Sequence, residues 1–231
     1  MPYLDYLLFG KDGGKLLLNL GGIANFTIIP SAGGNPDTVR AWDTGPANML
    51  IDLATIYISD GKEKFDKSGK YAAGGKINGD WMKHLMAHPF VTKSPPKSTG
   101  REDFGEEYFQ SLLTAFNVNT EQDKLDLIAT VTRFTAESVY SNFIAFSNTG
   151  DDISELIVSG GGVNNAVIIS HLEELFAAVR IKKIDDYGIS SDAKEAFAFA
   201  ILANEFISGN PTNIRSVTGA GKRVMLGKLT V

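Results

Sequence analysis

The sequence predicts an α/β protein whose mixed sheet starts with three antiparallel strands and continues with parallel strands flanked by helices. Two apolar runs flank Gly21-Gly22 within residues 16–30, a pattern typical of a tight β-hairpin. A third strand-like stretch follows over 38–43, and a helical pattern comes soon after it. Near the C-terminus, strand and helix patterns alternate twice. That alternation predicts parallel strands joined by right-handed crossovers.

The periodicity of apolar residues also places the remaining elements. The first long helix is predicted over 47–59, with Pro46 in its first turn and Thr44 or Gly45 as its cap. The apolar N-terminal stretch 1–9 is expected to dock on the rest of the fold. Further helices are predicted over 76–87, 104–116, 121–147, 165–177 and 191–208, and further strands over 155–159 and 179–184. The helix over 191–208 starts with a capping-box pattern formed by Asp192 and Glu195, and Gly209 suits its end.

Composition excludes several classes of function. The net charge of −5, without a basic stripe, argues against nucleic acid as a partner. The chain has no cysteine, which excludes disulfides, zinc thiolates and cysteine nucleophiles and fits a reducing compartment. No apolar run reaches the length of a membrane span. We therefore expect a cytoplasmic protein.

Two glycine-rich stretches are candidate ligand-binding loops. Gly21-Gly22 joins two predicted strands, and Gly160-Gly161-Gly162 follows another strand and precedes a helix. Because glycine has no β-carbon, an anionic group can come close to the backbone amides at such sites. Ligands of open α/β sheets bind at the carboxyl ends of strands, where the triple glycine stands. An ordinary tight turn is the alternative for both stretches.

Three further stretches offer polar groups that could hold a substrate. Asp43 and Thr44 place a carboxylate and a hydroxyl beside a helix start, where they could bind a substrate hydroxyl or act as a helix cap. Lys97 and Arg101 lie on a proline-containing loop that could grip an anion or be solvated. Glu195 could cap a helix or accept hydrogen bonds from sugar hydroxyls.

Six blocks, taken together and in order, resemble the anhydro-N-acetylmuramic acid kinases of the sugar kinase/Hsp70/actin ATPase superfamily. The blocks are LNLGGIAN (18–25), DTGPANMLID (43–52), PKSTGRE (96–102), VSGGGVNN (158–165), GISSDAKEAFAFA (188–200) and SVTGAGKRVMLG (216–227). The resemblance covers essentially the whole chain. It implies that residues 1–231 form one ribonuclease H-like (actin-like ATPase) domain.

The resemblance also implies a function. Such kinases use ATP and Mg²⁺ to open the 1,6-anhydro ring of this amino sugar and to phosphorylate O6, which yields N-acetylmuramic acid 6-phosphate in cell-wall recycling. A homodimer is implied as well. By this resemblance the second phosphate loop comprises Gly21, Gly22 and Asn25, and the adenosine loop comprises Gly160, Gly161, Gly162 and Asn164. The sugar and phosphate site includes Asp43, Thr44, Gly45 and Asn48, and the substrate side includes Lys97, Arg101 and Glu195.

Two motifs of the family are missing from this sequence. Its members begin with a first phosphate loop, G-T-S-x-D-G, and later carry a catalytic aspartate just before G-G-x-G-A-P-L. We therefore expect the chain to resemble the C-terminal portion of the kinase, with the general-base aspartate upstream and no activity alone. Within the chain, no residue is assigned as catalytic or as a metal ligand. The alternatives are a catalytically silent nucleotide-binding or assembly module and another sugar kinase of the superfamily.

Overall fold

The fold is built on one mixed β-sheet. The computed structural model describes residues 2–32, 34–148, 151–191, 193–228 and 230. The strands are β1 (Lys15–Leu20), β2 (Ile23–Ile29), β3 (Arg40–Pro46), β4 (Glu155–Ser159) and β5 (Arg180–Lys183). The five strands lie in the order β3-β2-β1-β4-β5. Strands β1, β2 and β3 are antiparallel neighbours, whereas β4 is parallel to both β1 and β5. This confirms the predicted mixed sheet, which starts with three antiparallel strands and continues with parallel strands.

Helices cover both faces of the sheet. They are α1 (Pro2–Phe9), α2 (Asn48–Ile58), α3 (Gly79–Met86), α4 (Pro89–Thr92), α5 (Arg101–Phe104), α6 (Glu106–Phe116), α7 (Glu121–Phe146), α8 (Ala166–Leu175), α9 (Lys194–Ile207) and α10 (Arg215–Thr218). Short 3₁₀ turns occur at Pro36–Thr38, Lys67–Gly69, Ala72–Gly74, Gly161–Asn164 and Ile184–Tyr187. No helix in the described part of the chain is both long and apolar enough to cross a bilayer.

Side-chain alternation along the strands divides the core in two. On β1, Leu16, Leu18 and Leu20 point to one face, and Leu17 and Asn19 point to the other. The first face carries the larger core, to which α2, α7 and α8 contribute. The second face packs a smaller core against α1, the turn Ile184–Tyr187 and α10. The apolar N-terminal stretch is therefore docked, as predicted, and it forms a helix.

The predicted helix start after β3 is wrong. The ladder between β2 and β3 continues past Asp43 through a bulge, so that Pro46 is the last residue of the strand and pairs with Ile23. Helix α2 begins at Asn48 without a side-chain cap. The carbonyl groups of the hairpin turn take the place of a cap, because the Gly21 oxygen accepts from the Asn48 N–H at 3.0 Å.

The last long helix starts later than its pattern predicts. Helix α9 begins at Lys194, and its N-cap residue Ala193 offers no side-chain hydrogen bond. Asp192, the first residue of the predicted capping box, lies outside the described residues. At the other end, Gly209 follows the helix in a left-handed conformation, with φ of 74°, and ends it as predicted.

A buried ion pair fastens α1 and α9 to the second face of the sheet. The Lys194 ammonium lies 3.1 Å from Asp5 Oδ1, and the two side chains are 8% and 4% exposed. The Thr27 hydroxyl of β2 donates to the other Asp5 oxygen at 2.8 Å. Lys194 also donates to the Ser159 hydroxyl at the end of β4, at 3.3 Å. These contacts tie both helices to the sheet end that carries the glycine stretches.

Replacing Lys194 by methionine should lower the free energy of unfolding by about 3–5 kcal/mol, because the Asp5 carboxylate then stays buried without a counter-charge. The double variant with Asp5→Asn should lose less than the single Lys194→Met variant. Chemical denaturation measures both, with the exposed Lys11→Met as the matched control. A double variant that is as unstable as the sum of the two single variants would contradict a role for charge pairing here.

Candidate functional site

The candidate site lies where β1 and β4 end, and it brings the two glycine-rich stretches together. In the parallel ladder Asn19 pairs with Ser159, so the hairpin turn and the triple glycine leave the sheet side by side. The two stretches are in close contact. A β-carbon at Gly160 would lie 2.8 Å from the Leu20 carbonyl oxygen, and one at Gly162 would lie 2.6 Å from Leu20 Cβ.

Asn48, at the start of α2, contacts both glycine-rich stretches. Its backbone N–H donates to the Gly21 oxygen at 3.0 Å, and its side-chain Nδ2 donates to the Leu20 oxygen at 2.9 Å. Its Oδ1 would be 3.2 Å from a β-carbon at Gly162. The first residue of α2 therefore contacts both glycine stretches. This places the predicted site residue Asn48 at the centre of the site.

The glycines of the site differ in what the fold requires of them. Gly160 has a left-handed φ of 85°, and Gly162 packs against Leu20, so the fold itself needs glycine at both. A β-carbon at Gly21 or Gly22 would meet its nearest atoms at 3.4 Å or more, and at Gly161 at 3.8 Å. Packing therefore does not explain glycine at these three positions. Gly22 and Gly161 each line a cavity, which favours the ligand-binding interpretation over an ordinary turn.

A polar cavity borders the hairpin on the second face of the sheet. Asn19, Asn25 and Asp43 are register neighbours across β1, β2 and β3, and all three line this cavity of about 530 Å³. The Thr99 N–H donates to Asp43 Oδ2 at 2.9 Å. Burial raises the pKa of Asp43, while the Thr99 hydrogen bond and the nearby Lys97 charge oppose the increase. The Asp43 carboxylate is thus positioned by a backbone hydrogen bond, and it lines the cavity.

Lys97 lines the same cavity, but its ammonium is engaged by the protein. It donates to the carbonyl oxygens of Phe90 and Val91, at 2.9 and 3.0 Å, and lies 4.7 Å from the centre of the Phe90 ring. Burial is the main cause that lowers the pKa of Lys97 to about 8. The contacts of the Lys97 ammonium are therefore explained by a structural role. The predicted binding of a substrate anion by Lys97 stays a prediction.

Thr44 and Gly45 are buried in β3. The Thr44 hydroxyl donates to the Ala24 oxygen at 3.2 Å, which satisfies it within the sheet. Gly45 faces α7, where a β-carbon would lie 3.1 Å from the Ser138 hydroxyl oxygen. Both residues shape the strand that carries Asp43. The substrate contacts predicted for them stay predictions.

The remaining predicted substrate residues lie apart from Asp43. Arg101 is exposed and lines a second cavity, of about 670 Å³, together with Gly22 and Asp52. Glu195 is exposed on α9. The structure therefore does not gather Lys97, Arg101 and Glu195 around one point, and their assignment to the substrate side stays a prediction.

A third cavity, of about 630 Å³, borders the triple glycine. Its walls include Asn48, Gly161 and Asn164 from the predicted site, together with Asp52 and Phe65, which the predicted site leaves out. Asp52 follows Asn48 by four residues on α2, and this spacing places both on one side of a helix. That spacing is the sequence signal that identifies Asp52. No comparable signal marks Phe65.

The family of the chain follows from comparison with known proteins. Residues 1–231 match the family model for anhydro-N-acetylmuramic acid kinase. The chain belongs to this family.

Curated members of the family are considerably longer than this chain. The anhydro-N-acetylmuramic acid kinase of Clostridioides difficile (strain 630) is 44% identical over 231 residues, which are 100% of this chain and 59% of that protein. That of Salinibacter ruber (strain DSM 13855 / M31) is 45% identical and is covered to 57%, again with 100% of this chain. The chain thus spans less than three fifths of the length of these relatives.

In this family member, Gly162→Ala should lower the free energy of unfolding by about 1–3 kcal/mol, because its β-carbon would overlap Leu20. Gly22→Ala should change that free energy by about 0.5 kcal/mol or less, since its β-carbon would meet only Met49, at an ordinary contact distance of 3.5 Å. Chemical denaturation of the two matched variants checks this. Equal losses would show that the hairpin glycine also serves the fold.

Proposed function

We propose that this chain provides nucleotide-binding and sugar-binding surfaces of a kinase acting on anhydro-N-acetylmuramic acid. In the proposed reaction, water opens the 1,6-anhydro ring and O6 receives the γ-phosphoryl group of ATP, giving N-acetylmuramic acid 6-phosphate. The family match supports this assignment. The structural observation that carries it is the contact between the hairpin turn and the triple glycine through Leu20 and Asn48.

The nucleotide would bind along the two glycine turns. Phosphoryl transfer depends chiefly on positioning and on charge stabilisation, and backbone amides beside glycine can provide both. Gly21, Gly22 and Asn25 would face the phosphates, and Gly160–Gly162 with Asn164 would face the adenosine. When bound, ATP supplies the phosphoryl group, and Mg²⁺ offsets its charge. Mg²⁺ is usually held by substrate phosphates and one or two carboxylates, and Asp43 is the carboxylate that lines the cavity with Asn25.

The sugar would bind beside Asp43. Its carboxylate already accepts the Thr99 N–H through Oδ2, and its position on a cavity wall suits it to accept a sugar hydroxyl as well. Asn19 and Asn25 add amide groups to the same wall. Arg101 and Glu195 would approach the sugar from other elements. The general base that activates water would be an aspartate upstream of Met1.

We further propose that the kinase acts in the cytoplasm, as part of cell-wall recycling, and that it is a homodimer. The cysteine-free sequence fits a reducing compartment, and the net charge of −5 fits a protein that does not bind nucleic acid. Homodimer formation rests on the family resemblance. Sedimentation of the protein at micromolar concentration measures it directly.

The proposed reaction is tested with anhydro-N-acetylmuramic acid and ATP. The reading frame upstream of Met1 is searched for the two missing motifs, and the polypeptide extended through them is assayed beside the 231-residue chain. We expect the extended polypeptide to form a phosphorylated sugar with a free reducing end. The shorter chain should show no turnover, because the general base is proposed to lie outside it.

Three results would contradict parts of this proposal. Turnover by the 231-residue chain would show that the base lies within it. A phosphorylated product that keeps its anhydro ring would indicate another kind of sugar kinase. An upstream frame without the two motifs would favour a catalytically silent nucleotide-binding module.

A further inference from the structure

Asp52 occupies a central place in the site, and although it ends the block 43–52, the resemblance stated above assigns it no role. It lies one helical turn after Asn48 and lines two cavities, one shared with Gly22 and the other with Gly161. It therefore stands between the hairpin turn and the triple glycine. A ligand that contacts both turns would pass beside its carboxylate.

The Asp52 carboxylate has no partner among the described residues. No hydrogen bond or ion pair joins it to another described side chain or backbone group, and burial alone raises its pKa to about 6. Asp66, in the same cavity, differs because it accepts the N–H groups of Tyr71 and Ala72 at 2.9 and 3.0 Å. Asp52 is thus a half-buried acceptor that can gain hydrogen bonds from a ligand.

The cavity around Asp52 has the chemistry of a nucleoside site. Phe65 is 60% exposed and lines it, which presents an aromatic surface to a planar base. The segment after Phe65 packs against the start of α8, since a β-carbon at Gly69 would lie 2.6 Å from Val167 Cγ2. A carboxylate beside an aromatic ring and amide groups suits a base that carries a sugar with two hydroxyls.

We propose that Asp52 accepts hydrogen bonds from the ribose hydroxyls of the bound nucleotide and that Phe65 contacts its base. The inference rests on the proposed function and adds two specificity-determining residues to it. A carboxylate has two acceptor oxygens and can bind both hydroxyls of a ribose at once. An alternative role for Asp52, as a Mg²⁺ ligand, becomes an outcome of the test.

The test compares ATP with 2′-deoxy-ATP and 3′-deoxy-ATP by calorimetric titration of the 231-residue chain. The unmodified chain should bind ATP about tenfold more tightly than either analogue, which is the usual size of a hydrogen bond to a charged group. Asp52→Ala should bind all three nucleotides with one weaker affinity. Asp12→Asn, at an exposed position near the start of β1, is the control and should keep the full discrimination.

Two further variants separate the roles of the residues. Asp52→Asn keeps the side-chain shape and one acceptor oxygen, so it should lose part of the discrimination and carries the test if the alanine variant does not fold. Phe65→Ala should weaken ATP and both deoxy analogues by the same factor, because the base is common to them. The titrations are repeated in excess EDTA, where discrimination between the nucleotides should persist.

The outcomes distinguish this inference from the proposed function. ATP binding that does not depend on the ribose hydroxyls, or discrimination that survives in Asp52→Ala, would overturn the inference alone. A discrimination that vanishes in EDTA would overturn it in favour of a metal-binding role. Failure of the unmodified chain to bind ATP would overturn both the inference and the nucleotide site proposed above.

Discussion

The site depends on the close packing of two turns at one end of the sheet. The turn after β4 lies so near the end of β1 that Gly160 and Gly162 have no room for side chains beside Leu20. Parallel pairing of β1 with β4 sets this distance, and Asn48 fixes it from α2 through its bonds to Gly21 and Leu20. Because the packing uses two of the three glycines, the third, Gly161, is left facing outward.

The second face of the sheet changes character along its strands. Near the strand starts it carries Leu17, Ile29 and Ile157, which pack against α1 and the turn Ile184–Tyr187. Towards the site it carries Asn19 and Asp43, which line a cavity. Helices close the apolar part, and the polar part stays open. The same face therefore serves stability at one end, and the function proposed above places ligand binding at the other.

Much of the fold could be predicted from local sequence patterns. The hairpin follows from two apolar runs around a glycine pair, and β4 is predicted at its observed bounds because a short buried strand is apolar throughout. The start of α2 could not be predicted, since its cap comes from hairpin carbonyls that are distant in sequence. The β2–β3 bulge, which extends β3 to Pro46, is likewise a property of pairing that the sequence of β3 alone does not show.

The glycine-rich stretches of the candidate site can be predicted from the sequence, whereas the contacts that its side chains make cannot. Gly21-Gly22 and Gly160-Gly161-Gly162 were visible as motifs, but only the structure separates the glycines that packing requires from those it does not. The sequence allows Lys97 to grip an anion or to be solvated, yet in the structure its ammonium is buried and donates to carbonyl oxygens of α4. Such contacts depend on how segments of the chain pack together in the fold, which local sequence patterns do not specify.

In the function proposed above, the two glycine turns form one nucleotide-binding surface. The most direct measurement is nuclear magnetic resonance of the ¹⁵N-labelled chain during titration with a non-hydrolysable ATP analogue. We expect the amide signals of Gly21, Gly22 and Gly161 to shift together, with a single dissociation constant. Shifts confined to one of the two turns, or centred elsewhere in the chain, would contradict it.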